Sequence, residues 1–236
     1  MKSPVDPRDK PAYTLPEAAA YARVRPTTAK EWLVGRSARD SIRRRSAPAI
    51  ISPASNDPLR LSFINLVELF VLADLRRVHG LSLQRVRTGL RYVERELGIE
   101  RPLVHAKFRT NGVDLFVDHL VDDAGTAKLI EASGSGQVAI REALQARLAR
   151  VDWDRHKIAA RLFPFVRGEL VPQPRTIVID PRTGFGRPVI ATTGIRTSVV
   201  AGRFRAGESA PDLARDYNLE VGQIEDAVRC EIASAA

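Results

Sequence analysis

The sequence predicts a mainly α-helical chain with small β elements, an α+β fold, divided into residues 1–105, 106–172 and 173–236. Three observations lead there. Apolar residues recur at helical spacing through most of the chain. Short β-like stretches are bounded by Gly, Asn, Asp and Pro. Charge is spread unevenly: of the formal +9, residues 1–105 hold 19 Lys and Arg against 11 Asp and Glu, residues 106–170 hold 10 against 9, and residues 171–236 hold 8 against 8. A cationic excess confined to one segment favours a polyanionic partner, because each phosphate it neutralises releases counterions. Basic surfaces also bind RNA, acidic lipids and acidic proteins; the motifs of the same segment decide for DNA.

Residues 13–33, YTLPEAAAYARVRPTTAKEWL, read as two short helices joined by a tight turn. Thr14 caps the first, and Glu17 completes a capping box ahead of Leu15, Ala18, Ala19 and Ala22. Pro26 suits the first position of the second, where its missing N–H is no loss. Ala29, Trp32 and Leu33 form the second helix's buried stripe, leaving Thr27, Thr28, Lys30 and Glu31 outward near its N-terminal end, where a recognition helix meets a major groove. An arginine-rich stretch with Arg36, Arg39, Arg43, Arg44 and Arg45 then leads into a strand at Ala49–Ile51, a turn over Ser55–Pro58 and a second strand Leu59–Leu61, a two-stranded wing. The candidate DNA contacts are therefore Arg25, Thr27, Thr28, Lys30, Arg36, Arg43, Arg44, Arg45 and Arg60. Ser62 caps a periodic helix with Ile64, Val67, Leu69, Phe70, Leu72 and Leu75 inward, stopped near Gly80, and Ser82 caps another that Gly98 stops.

In the middle segment, LVHAKFRT and VDLFVDHL flank Asn111-Gly112, a strong short hairpin signal, so a β-hairpin is expected there with His105 and His119 on facing strands. A glycine turn opens a helix in SGSGQVAIREALQARLARV, and RLFPFV reads as a short strand. Residues 172–174 read as a linker. Beyond them come two short strands around a Gly-rich turn and three helices: residues 198–207, residues 210–217 capped by Ser209, and residues 220–232 with Val221, Ile224, Ala227, Val228 and Ile232 inward.

Two resemblances follow from these residues. LPEAAAYARVRPTTAKEWL, the wing end at Arg60 and VLADLRRVHGLSLQRVRTGL together resemble the N-terminal winged helix of the MerR family of transcription regulators, over about 90 residues. The loop before the wing is longer and richer in arginine than that family's, and neither a cysteine cluster nor a drug pocket follows. The pattern Asp180-Pro181, Gly186-Arg187-Pro188-Val189-Ile190, Gly194-Ile195-Arg196-Thr197, Ala206-Gly207-Glu208-Ser209 and Asp216-Tyr217 resembles the small helix-turn-helix domain of VapB-type antitoxins, also catalogued as a bacterial domain of unknown function. The helix of that domain that would read DNA carries Glu220, Glu225, Asp226 and Glu231 against Arg229, which repels phosphates, so sequence reading is assigned to the N-terminal helix pair.

The second resemblance implies an antitoxin that represses its own operon and neutralises a PIN-domain ribonuclease toxin. Arg187, Arg196, Arg203 and Arg205, in a stretch free of acidic residues, are the candidates for engaging the toxin's carboxylates; solvent-facing arginines are the competing reading. The runner-up is a stand-alone regulator without a toxin, and a third reading is an interaction scaffold. A homodimer on double-stranded operator DNA is expected, since one short helix reads too few base pairs. No catalytic residue, metal site or cofactor is called for: the histidines are scattered, and no GxSxG, GKS/T or HExxH pattern occurs. Asp114, Asp118, Asp122 and Asp123 read as a solvated edge or a weak cation site. A lone cysteine, Cys230, and the lack of any apolar run of membrane length suit a cytoplasmic protein.

Overall fold

The interior is organised around one helix whose first turns are buried on every side. In the computed structural model, which describes residues 5–35, 48–79, 83–122, 136–165 and 174–235, every residue from Leu61 to Ala73 is buried. These lie on or just before α3 (Phe63–His79). The sequence stripe predicted one inward face, but Phe63, Leu66 and Val71 are buried as well, because neighbours cover α3 all round. Those neighbours include α1 (Leu15–Ala22), which leads into α2 (Pro26–Val34), and α6 (Gly136–Leu148). Between them lie α4 (Leu83–Leu97) and α5 (Val113–Asp122), which pack on each other.

Asn65 and Glu68 occupy α3 positions with no water, so their polar atoms are paired internally. The Asn65 carboxamide oxygen accepts from the Ser62 and Ala54 N–H groups, both at 3.0 Å, while its nitrogen donates to the Ser52 carbonyl at 2.8 Å. Glu68 receives a two-pronged bond from the Arg101 guanidinium, at 2.9 and 2.6 Å. This polar ladder pins residues 52–54 to α3. It thereby holds the small hairpin of β1 (Ser55–Asn56) and β2 (Leu59–Arg60), whose tight turn is Asp57-Pro58. The pairing begins later than the sequence suggested. Ile50 and Ile51 donate their N–H groups to the Trp32 carbonyl instead of to a strand, which ties this segment to α2.

The Asn111-Gly112 hairpin does not exist. Residues 102–104 form a 3₁₀ turn, Phe108–Gly112 a π-helical turn, and Val113 begins α5. Val113, Phe116, Val117 and Leu120 are buried at helical spacing, a stripe that the alternation of the same residues concealed. Gly112 is needed for close approach: a Cβ there would stand 2.7 Å from the Phe108 ring and 3.2 Å from Val93. His119 stacks on Tyr92 with ring centroids 4.5 Å apart, and His105 bridges Ile158, so the two histidines share no strand pair. Asp114 and Asp118, one helical turn apart on α5, both bind Arg141, at 2.9 and 2.6 Å.

Two further antiparallel pairs complete the chain. These are β3 (Val151–Trp153) with β4 (Ala159–Leu162), and β5 (Ile177–Val178) with β6 (Val189–Ile190). Arg150 clamps the join between them, its buried guanidinium donating to the carbonyls of Phe163, Phe165 and Pro174 at 3.0, 2.7 and 2.6 Å. Burial, with help from Arg175 and Arg147, lowers its pKa to about 10, which still leaves it cationic at neutral pH. The C-terminal helices are α7 (Thr197–Arg205), α8 (Ala210–Tyr217) and α9 (Val221–Ala235), close to their sequence bounds. The α9 stripe is narrower than expected: Ile224, Ala227 and Val228 are buried, but Val221 and Ile232 are 39% and 56% exposed.

The α4–α5 contact sets a sharp stability test. A Cβ on Gly89 would lie 2.8 Å from the fully buried Phe116 ring, which itself packs edge-on against Phe108. Ala is the better helix former by about 1 kcal/mol, but overpacking a closed core costs about 1–3 kcal/mol. Gly89→Ala is therefore expected to lower stability, read as a fall in the thermal midpoint of about 2–4 °C per kcal/mol for a chain of this size. An unchanged or raised midpoint would contradict the packing.

Candidate nucleic-acid interface and the C-terminal arginine surface

The helix pair forms as its sequence dictates. Thr14 and Glu17 make a reciprocal capping box: the Thr14 N–H donates to the Glu17 carboxylate at 2.8 Å, and the Glu17 N–H to the Thr14 hydroxyl at 3.4 Å. Ala18, Ala19 and Ala22 of α1 and Ala29, Trp32 and Leu33 of α2 are buried. Small residues on α1 let the two helices cross closely, which leaves the other side of α2 in solvent. There Thr27 and Lys30 are exposed on one helical face, Thr28 is half-buried, and Arg25 is exposed at the N-cap. Arg25 makes no side-chain cap, so the first-turn N–H groups of α2 have no side-chain acceptor there. Arg60 lies half-buried on β2, paired with Ser55. The side chains of Arg25, Lys30 and Arg60 form no hydrogen bond or ion pair with another described residue, so their charges remain available to a ligand. Arg36, Arg43, Arg44 and Arg45 lie outside the described residues.

The C-terminal segment docks on α1 and the residue before its cap. Tyr13, fully buried, donates its phenol to the Gly186 carbonyl at 2.7 Å. Arg187 reaches Glu17 at 2.7 Å and lies over the Tyr13 ring, 5.6 Å from its centroid. Burial alone would raise the Glu17 pKa. The Thr14 N–H and hydroxyl together with Arg187 outweigh it and hold the carboxyl below its ordinary value of 4.5. Burial pushes Tyr21, beside Tyr13, up to about 12, with Glu231 adding to the rise.

The four arginines predicted for toxin contact divide into two kinds. Arg187 is committed to Glu17. Arg203 is committed within its own unit, to Glu208 and to Asp216 at 2.6 Å, and lies over the Tyr217 ring. Its hydrogen bonds to Glu208, Tyr217 and Asp216 raise its pKa further above the usual guanidinium range. Arg196 and Arg205 are exposed, and neither forms a hydrogen bond or ion pair with another described side chain. The acidic face expected on α9 also shrinks. Asp226 is buried and accepts from the Thr176 hydroxyl at 3.0 Å, and Glu231 accepts from Thr197. Glu225 is paired with Arg229 at 2.8 Å.

Sequence reasoning missed Phe185. It sits in Gly184–Gly186, where all three residues have positive φ, of 59°, 58° and 72°. Glycine adopts this conformation freely, whereas a residue with a Cβ is strained by roughly 1–2 kcal/mol. The Phe185 ring is nevertheless 85% exposed, with the Arg196 guanidinium 5.5 Å over it. A large aromatic between two glycines was the available signal. A cavity of about 320 Å³ also lies between residues 49–52 and α4, lined by Arg87, Arg91, Arg101, Glu68 and Glu94. Its charges are mixed, and Arg101 is already neutralised by Glu68.

Comparison with known proteins bears on both ends of the chain. Residues 177–229 match the family model described as "Protein of unknown function (DUF433)". The match begins at β5 and ends inside α9. Over 235 residues the chain is 28% identical to "Putative antitoxin VapB45" of Mycobacterium tuberculosis, covering 93% of each. The crystal structure of Rv2018 from Mycobacterium tuberculosis shares the fold, with a TM-score of 0.69 and 24% identity over 93% of this chain and 98% of that one. The likeness thus spans the helix pair as well as the C-terminal helices. Among the described residues no helix is long and apolar enough to cross a membrane, and no group of three or more His, Cys, Asp or Glu is placed to hold a metal.

The Arg187–Glu17 pair gives a pH-dependent prediction. Because the folded Glu17 pKa is depressed, its contribution is present above about pH 4.5 and is lost as the pH falls through the lowered folded value. Glu17→Gln is expected to be less stable than wild type at pH 7 and to match it well below pH 4. Arg187→Gln is expected to return the NMR-measured Glu17 pKa toward 4.5. A gap between wild type and Glu17→Gln that persists at low pH would contradict the ion pair.

Proposed function

We propose that this chain is the antitoxin of a toxin–antitoxin pair, acting in the cytoplasm, that binds operator DNA as an autorepressor and neutralises a PIN-domain ribonuclease. The observation that carries the reading is the likeness to a putative antitoxin over 93% of both chains, so that the similarity is not confined to one shared module. The surface of α2 supports the DNA half. Arg25, Thr27 and Lys30 lie exposed at or near its N-terminal end, with Thr28 half-buried among them, and Arg60 stands on the adjoining hairpin. The short threonines allow close approach to a groove, and the cations engage flanking phosphates. Arg36, Arg43, Arg44 and Arg45 add to the same cationic segment. This assignment keeps the winged, MerR-like reading of residues 1–105. It makes the chain a homodimer on a two-fold operator with half-sites about one helical turn apart.

The toxin half rests on the C-terminal segment, in which residues 182–205 hold five arginines and no acidic residue. Arginine forks suit a metal-binding carboxylate cluster, and displacing or misplacing that metal stops metal-assisted RNA cleavage. Arg196 and Arg205 retain free guanidinium groups for this, while Arg187 and Arg203 hold the surface in shape.

The DNA half predicts that Arg25→Ala and Lys30→Ala weaken operator binding. For a phosphate contact, affinity falls equally on all duplexes and the slope of log K against log salt drops by about one unit; for a base contact, the operator alone loses about 1–3 kcal/mol. Wild-type affinity and salt slope in the double variant would overturn the assignment. Co-expression with the product of the adjacent gene tests the other half. A complex whose ribonuclease activity returns on Arg196→Glu/Arg205→Glu substitution is expected, and full inhibition by that variant would place the neutralising surface elsewhere.

A further inference from the structure

We propose that Phe185, with Arg196 and Val199, is the anchor by which the chain grips its protein partner, at a carboxylate beside an apolar pocket. This deepens the antitoxin reading above and rests on it. The Gly184–Gly186 turn holds three successive residues at positive φ, and only the middle one carries a side chain. That side chain is the most exposed large hydrophobic among the described residues, so it adds nothing to the core. Strain without internal reward is accounted for when the ring is buried by something else, as interface aromatics are.

The surroundings specify the partner's chemistry. Arg196 lies over the Phe185 ring, its Cζ 5.5 Å from the centroid, with its donors unengaged by any described acceptor. A guanidinium pre-oriented by an aromatic face is matched by a planar carboxylate. Val199, 47% exposed, follows Arg196 by one turn on α7 and extends the apolar area. Arg182 and Arg205 are exposed in the same stretch, whereas Arg187 and Arg203 are neutralised internally. The uncommitted charge is therefore wholly positive. Duplex DNA supplies anions but keeps its bases stacked, leaving the ring no apolar pocket, so an acidic protein surface fits better.

The test uses the full chain and, as probe, the product of the adjacent gene that the antitoxin reading takes to be a PIN-domain ribonuclease, titrated by calorimetry. Phe185→Gly removes both the ring and the strain. It is expected to weaken ribonuclease binding at least about tenfold while the thermal midpoint of the free chain stays the same or rises. Arg196→Glu is expected to weaken binding by a similar factor, and Phe185→Trp to keep it. Wild-type affinity in both Phe185→Gly and Arg196→Glu would overturn the anchor and leave the antitoxin reading standing. Failure of the wild-type chain to bind the ribonuclease would overturn both. A lowered midpoint in Phe185→Gly would make the ring a structural element, and loss of operator binding with unchanged ribonuclease affinity would make the patch a nucleic-acid contact; either result overturns the proposal.

Discussion

The contact on which the architecture turns is the hydrogen bond from the Tyr13 phenol to the Gly186 carbonyl, made where no water reaches the ring. It joins the first residues of the helix pair to the loop that opens the C-terminal helices. A buried bond of this kind contributes about 1 kcal/mol net, but leaving one partner unsatisfied costs about 1–3 kcal/mol. Gly186 cannot be replaced without disturbing it: its φ is 72°, and a Cβ would stand 2.6 Å from the phenol oxygen. From this constraint the rest follows. The loop must turn left-handed on both sides of Phe185, Arg187 is delivered to Glu17, and the ring of Phe185 is turned to solvent.

The same contact explains how one small chain carries two surfaces. Glu17 serves twice, as the acidic member of the α1 capping box and as the partner of Arg187, so the C-terminal unit rests on the local signal that starts the helix pair. Arg23 adds to the junction by occupying the left-handed C-cap of α1 and laying its guanidinium over Phe165. On the other side of the core, Arg150 binds three carbonyls that straddle residues 166–173, fixing where the chain leaves one apolar cluster for the next.

Where local chemistry alone decides a conformation, the sequence was readable. Thr14 with Glu17, Pro26 at the start of α2, Ser209 as a cap and Gly98 as a stop all behave as their side chains require. The failures share one physical reason: a tertiary contact outweighed a local preference. Asn111-Gly112 is a turn signal only when its glycine is free to take positive φ, and Phe108 and Val93 instead demand its missing Cβ. Asp226 looked like a surface acid until Thr176, fifty residues earlier, supplied its hydrogen bond. At the candidate interface, the exposure of Thr27 and Lys30 was legible because helix periodicity fixes it. The split of the C-terminal arginines into committed and free was not, since Glu17, Glu208 and Asp216 reach them only through the fold.

The central claim is that two separate surfaces serve two partners, and amide hydrogen exchange reports both in one experiment. The full chain would be measured alone, with operator duplex, and with the ribonuclease. The account predicts that duplex protects residues 25–34 and the hairpin at 55–60, and that the ribonuclease protects residues 182–199, with neither footprint covering the other. Protection of residues 182–199 by duplex, or of residues 25–34 by the ribonuclease, would contradict it.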